Sequence, residues 1–376
     1  MAVLDFALWD GVGGYSGGDT PMADVYDDHI RLAEEIERLG FHSYFVIEHQ
    51  NSPVGRITAP TVFLTAVARA TSHLRIGAMM WQLPFYHPIR LAQEVAMLDH
   101  LSRGRVEFGT GIGVHEHEFI RWGVDYYKRA EIAGEVLEVV KAAWTQKEVT
   151  FNGKYFHFDE ALPQPQPFQK PTPPIWAAGH SDASMEWAAK NNFNLAKNLD
   201  TDEVCKRKFD LYREKWREAK HPGPMPRIFL MRQMHVAETD EKAHEQARKF
   251  IASREGGAVP VGGGDIAKTR VGWGTHARGM GSDSERPNDK ARGATIAKAA
   301  QSYEYNIENG LALVGSPETI IKKLQEGQAH MGYNLFCCNH EIGKMPHDQV
   351  MNSIRLFGNE VIPAFERSNA KKAAAE

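Results

Sequence analysis

Apolar residues in this chain follow two rhythms that take turns along its length. Short runs rich in branched and aromatic residues, such as Val3-Leu4-Asp5-Phe6-Ala7-Leu8-Trp9 and Ile175-Trp176-Ala177-Ala178, give way to longer stretches with apolar positions every three or four residues. The first rhythm suits strands and the second suits amphipathic helices. The pattern predicts eight strands, at 2–9, 42–48, 74–82, 105–111, 174–179, 193–197, 228–236 and 333–338. Between them it predicts helices at 22–39, 58–71, 88–101, 128–145, 181–191, 201–219, 240–252, 316–330 and 346–365. Thr20-Pro21 and Ser316-Pro317 each read as a capping hydroxyl followed by proline at the first helical position.

Strand and helix in alternation imply a parallel sheet, which either closes as a (β/α)8 barrel or stays open and doubly wound. No G-x-G-x-x-G follows the first strand, and the late run Gly262-Gly263-Gly264 reads as linker rather than phosphate cradle. Barrels reach this length as one unit, so residues 1–368 are expected to form a single domain, with 369–376 a disordered tail. Residues 253–295 are Gly-rich and lack periodicity, which predicts a mobile lid. Residues 163–174, with their repeated prolines, predict a stiff extended connector.

Composition narrows the function. The 376 residues are 42% hydrophobic and 24% charged, as expected of a globular protein able to bury a large core. A formal charge of −4 gives no field for nucleic acid, and Lys371-Lys372 is only a short basic pair in the tail. Cys205, Cys337 and Cys338 are the three cysteines, the last two on one strand and facing opposite sides, so no disulfide framework is expected. With no basic leader and no apolar run of membrane length, the expected setting is cytoplasmic, away from any membrane.

In a barrel, chemistry gathers where strands end. The second predicted strand ends in Glu48-His49-Gln50, placing an imidazole at the mouth as a proton donor or acceptor; a loop histidine with satisfied hydrogen bonds is the competing reading. The fourth ends in Gly109-Thr110-Gly111, small residues that let backbone approach a planar ligand. The next segment, His115-Glu116-His117-Glu118, lacks the His-Glu-x-x-His spacing and has no third ligand nearby, so a polar loop is expected and no metal. The fifth runs through Gly179-His180-Ser181 to Ser184, where hydroxyls and free N–H groups at a helix start suit a phosphate, with Arg129 as a source of charge. Simple N-capping by the serines is the alternative.

Six segments in order then resemble the bacterial luciferase-like family of flavin-dependent monooxygenases across nearly the whole chain. They are Glu48-His49, Leu83-Pro84-Phe85-Tyr86-His87-Pro88, Leu98 to Arg105 leading into Phe108-Gly109, Trp122-Gly123-Val124-Asp125, Pro174 to Ser181, and Val314-Gly315-Ser316-Pro317-Glu318. The resemblance implies a (β/α)8 TIM barrel with a long mobile insertion loop falling on 253–295. It assigns His49 to the chemistry. It places Thr110, Gly111, Arg129, Gly179, His180, Ser181 and Ser184 around the flavin, and Met79-Met80 as a non-prolyl cis peptide beneath its ring system. Trp9, Glu48, Trp81 and Phe85 are then candidates for the substrate pocket, with plain core or barrel-rim packing the competing reading of the three aromatics.

The implied cofactor is FMN, reduced by a separate flavin reductase. With O2 it would form a C4a-peroxyflavin that oxygenates a small aldehyde, ketone or hydrocarbon-like substrate. A homodimer is implied too. Three departures stand out: the luciferase α chain's reactive cysteine falls on Gly111, the arginine after it on Ile112, and an acidic residue on His180. Light emission is therefore not expected, and the flavin is expected to be held less tightly. Two rivals share the barrel, a deazaflavin-dependent oxidoreductase and a silent flavin-binding partner subunit.

Overall fold

A computed structural model describes residues 3–12, 20–50, 56–252 and 287–366 of the chain. In chain order its strands are β1 (Asp5–Asp10), β2 (Ser43–Val46), β3 (Arg75–Gln82), β4 (Val106–Gly111), β5 (Val149–Asn152), β6 (His157–Ala161), β7 (Ile175–Ala178), β8 (Asn194–Lys197), β9 (Ile228–Val236), β10 (Ala312–Gly315) and β11 (Leu335–Asn339). Neighbours pair in parallel from β1 through β2, β3, β4, β7 and β8 to β9. The strand β11 then joins β9 to β1 and closes an eight-stranded barrel. These eight are the predicted strands.

Strand β9 runs beyond the barrel. Its first residues, Ile228 to Leu230, pair with β8, while Gln233 to Val236 pair with the extra short strand β10. Prediction missed β10, and also the antiparallel hairpin β5–β6. The hairpin's turn is fixed from outside, since the Glu135 carboxylate accepts the backbone N–H groups of Lys154, Tyr155 and Phe156 at 2.6, 2.8 and 3.2 Å.

Period-two alternation sorts the barrel side chains into two cores. Ala7, Trp9, Phe45, Met79, Trp176, Phe229, Met231, Leu335 and Cys337 fill the inside. Their neighbours Phe6, Leu8, Ile76, Phe108 and Cys338 pack outward against the helices. Cys337 and Cys338 thus face opposite sides, as expected, and all three cysteines are free. At the inner floor, the Trp176 indole donates to Glu107 at 2.6 Å, and Glu107 also pairs with Arg75.

The nine predicted helices are present, with shifted ends. Ser316 caps the helix Pro317–Met331 by accepting the N–H of Thr319, as expected. Thr20 does not play that part: the helix Met22–Arg38 starts after Pro21, with no side-chain cap. The last predicted helix is regular over His347–Leu356 and widens to a π-turn at Phe357–Val361. Glu116–Trp122, Pro287–Ala299 and Tyr303–Glu308 are helices that prediction missed. The end of the expected lid, 287–295, is helical, while 253–286 and the tail 369–376 lie outside the described residues. No described helix is long and apolar enough to cross a membrane.

Much of the segment Leu98 to Arg105 serves the base of the barrel. Arg105 donates to Ser102 O, Leu74 O, Ala68 O, Thr71 O and the Thr71 hydroxyl, all between 2.7 and 3.0 Å. Asp99, fully buried, accepts two N–H bonds from Gln169 at 2.8 Å each. These contacts sit where strands begin, the end that carries stability rather than chemistry in such barrels.

Strands β3 and β4 approach closely because Gly109 has no side chain: a Cβ there would lie 2.2 Å from the Ala78 carbonyl oxygen and 3.0 Å from the Met79 sulfur. Gly109→Ala should therefore destabilise the fold by about 1–3 kcal/mol. Urea unfolding would show a lower midpoint at unchanged slope; an unmoved midpoint would mean that the two strands part without cost.

Candidate functional site

The chain leaves β2 at Val46 and turns over the C-terminal mouth of the barrel through Glu48, His49 and Gln50, all at most 5% exposed. Buried polar groups need partners, and here they find one another. Glu48 accepts Gln50 Nε2 at 2.6 Å and the backbone N–H of Gln82 at 2.8 Å. The Gln82 side chain donates to the Glu48 carbonyl and to Glu118 Oε2, both at 3.0 Å. Glu118 Oε1 in turn lies 2.8 Å from His49 Nδ1.

This chain of bonds sets the chemistry of His49. A carboxylate only accepts, so Nδ1 carries a ring proton, and in the neutral ring Nε2 is then the nitrogen with the lone pair, the arrangement of a positioned base. Glu118 is the member of this bonded cluster that sequence reasoning did not place at the site. The expected polar loop at 115–118 is instead the start of the helix Glu116–Trp122, and Glu118 is fully buried. The usable signal was spacing: His115 and Glu118 stand three apart and so share one face at a helix start. Helix formation brings His115 to His49, their ring centroids 5.0 Å apart. One donor atom from each of His49, His115 and Glu118 lies within 4.8 Å of the others.

Of the expected pocket residues, Trp9 belongs to the inner core, with Met79 beside it and Met80 at its edge. The Met79–Met80 peptide is cis, as expected. Phe85 stands in the turn Leu83–Phe85 and stacks on Trp122 at 5.7 Å and against Phe119 at 4.6 Å. Trp81 is a correction. The β3–β4 register shifts between Ala78 and Trp81, so Met79 and Met80 both belong to the inner side while Trp81 packs outward on Phe108, itself against Trp144. Glu48 is 1% exposed and engaged in the network above rather than lining open space. On β4, the Thr110 hydroxyl donates to the Trp176 carbonyl at 2.9 Å, and Gly111 lies against Met80.

A second group forms where β7 ends. Ser181 caps the helix Asp182–Lys190, accepting the N–H of Ser184 at 3.2 Å, and the Ser184 hydroxyl donates to the Ser181 carbonyl at 2.7 Å. Gly179 is required there, because a Cβ would lie 2.4 Å from the Ser184 hydroxyl. Asp182, at the helix start, is drawn off to Lys208 and Arg207. His180 lies 3.5 Å from Lys197 and 3.6 Å from Asp200. Burial, helped by the nearby cations Arg292 and Lys197, holds its pKa down to about 3, so the ring is neutral. Arg129 opens the helix Arg129–Thr145, which follows Glu116–Trp122 in the segment between β4 and its partner strand β7, and stacks on Tyr126 at 3.8 Å. Its buried Nε has no hydrogen-bond partner.

A cavity of about 60 Å³ opens elsewhere, between Met231 and Gln233 in the middle of β9, Asn339 at the end of β11, Leu199 after β8, and Ile296. None of the residues singled out from sequence lines it.

Burial pushes the Glu48 carboxyl up to about 7. A raised acid binds its proton more tightly folded than unfolded, so its contribution is present at low pH and is lost as pH rises from about 4.5 through about 7. Glu48→Gln should therefore gain on the parent protein, in unfolding free energy, between about pH 5 and about pH 8. A difference that stays flat across that range would show the carboxyl titrating normally.

A model of the luciferase-like monooxygenase family matches residues 3–334. The oxygenase component of a flavin-dependent trigonelline monooxygenase from Acinetobacter baylyi is 27% identical over 360 residues, 93% of either chain. An uncharacterized protein, y4wF of Sinorhizobium fredii, is 38% identical over 175 residues, so that the match spans 46% of this chain and about half (51%) of that one. Among solved structures, the oxygenating constituent of Pseudomonas putida 3,6-diketocamphane monooxygenase, in complex with FMN, superposes with a TM-score of 0.77 at 21% identity, covering 96% of this chain and 99% of that one. With its closed barrel, its cis Met79–Met80 peptide and a family match over most of its length, the chain belongs to the luciferase-like monooxygenases.

Proposed function

We propose that the protein is the oxygenase half of a two-component monooxygenase, acting on a small aldehyde, ketone or hydrocarbon-like molecule with FMN reduced by a separate reductase. The observation that carries this reading is the buried His49–Glu118 pair at the mouth of a barrel of this family. Reduced FMN supplies two electrons, so that one atom of O2 enters the product and the other leaves as water.

The residues present suit such a cofactor. Gly109 and Gly111 bring the β4 backbone up against Met79 and Met80 with no side chain between them, which keeps the wall beside the cis peptide thin. Arg129, with its unpartnered buried Nε, and the first N–H groups of the helix Asp182–Lys190 are groups that take a phosphate. His49, held through Nδ1, takes or returns a proton at Nε2, and the apolar inner core around Trp9 and Phe45 keeps water from the reacting atoms. A homodimer, a reductase partner and a cytoplasmic setting complete the proposal.

The test is incorporation of label from 18O2 into product, with chemically reduced FMN and a panel of aldehydes, ketones and alkanes. His49→Ala should lower labelled turnover at least about tenfold while FMN binding persists. Unchanged turnover would remove His49 from the mechanism. Hydride transfer from a reduced deazaflavin to a ketone, without label, would establish the reductase alternative. FMN binding with no turnover of any kind would point to a silent subunit.

A further inference from the structure

Two imidazoles and a carboxylate meet at the barrel mouth from distant parts of the sequence. His49 follows β2, and His115 and Glu118 come from the start of the helix after β4. They are 5%, 3% and 0% exposed, and one donor atom of each lies within 4.8 Å of the other two. We propose that this triad is a binding site for a single divalent first-row transition ion of the Zn2+ class.

The donor set and its surroundings favour such an ion. Two nitrogens and one oxygen suit zinc, cobalt, nickel or ferrous iron, whereas calcium and magnesium take oxygen alone. Ligand bonds of about 2.0–2.2 Å put tetrahedral neighbours about 3.3 Å apart, so small side-chain rotations are enough to close the triad. The His49–Glu118 hydrogen bond gives way when the ion takes its place, and the ring proton it held is released where that nitrogen ligates.

Support comes from Gln82, which is 6% exposed. Its amide nitrogen already holds the second oxygen of Glu118 at 3.0 Å, the kind of bond that orients a ligating carboxylate. Its amide oxygen is buried without a donor, leaving a lone pair beside the triad. A filled site occupies His49, so the ion acts as a reversible inhibitor; that consequence alone rests on the role proposed for His49.

The test uses full-length protein freed of metal and of any affinity tag, titrated with Zn2+ by calorimetry and with Co2+ by visible absorption. One ion should bind per chain. His115→Ala and Glu118→Gln should each weaken it at least about tenfold, while Glu116→Gln on the same helix leaves it unchanged. Far-UV circular dichroism checks that each variant is folded, and Glu118→Gln, nearly equal in volume, keeps the test open if His115→Ala is not. Absence of stoichiometric binding, or binding that survives both substitutions, would overturn the site. Neither readout needs flavin turnover, so failure of the oxygenase reading would appear separately, as unlabelled product.

Discussion

Glu118 is a carboxylate with no exposure to water, and the mouth of the barrel is arranged around the need to satisfy it. Both of its oxygens are engaged, one by His49 and one by Gln82, and Gln82 passes the constraint to Glu48 and so to Gln50. An unpaired buried carboxylate is too costly to persist, so every member of this chain is held in place by the others. The result ties the loop after β2, the end of β3 and the helix after β4 into one polar unit. His49 gains its orientation from that unit and not from its own strand.

The two ends of the barrel divide the work. At the end where strands begin, Arg105 and Asp99 stitch helix ends to strand starts with a dense set of hydrogen bonds. Several residues that carry the family resemblance are there, and they keep the barrel closed. At the other end, the Glu118 network engages most of the buried polar groups, and a few atoms, such as Arg129 Nε and the Gln82 amide oxygen, are left without partners. Unpartnered buried atoms are rare in proteins and gather where a ligand is expected to complete them.

The alternation of the strands is equally consequential. It separates an inner core around Trp9 and Phe45 from an outer core around Phe6 and Phe108, and the register shift in β3 decides which side each neighbour of Met79 takes. Trp81 shows the effect: strict alternation from Met79 places it inside, yet it packs outside on Phe108.

The sequence by itself determined the eight barrel strands, nine of the helices, the Ser316 cap and the opposite facing of Cys337 and Cys338, because these follow from local periodicity and capping chemistry. It also placed His49 at a strand end. The hairpin β5–β6 and the strand β10 were not legible, being short, polar or fixed by remote partners such as Glu135, and the helix Glu116–Trp122 left only the three-residue spacing of His115 and Glu118 as a signal. Only tertiary structure could turn Trp81 outward, since a register shift leaves no mark on composition. And only it could bring Glu118 and His115 to His49, because that meeting depends on β2 and β4 standing on either side of β3 in a closed barrel.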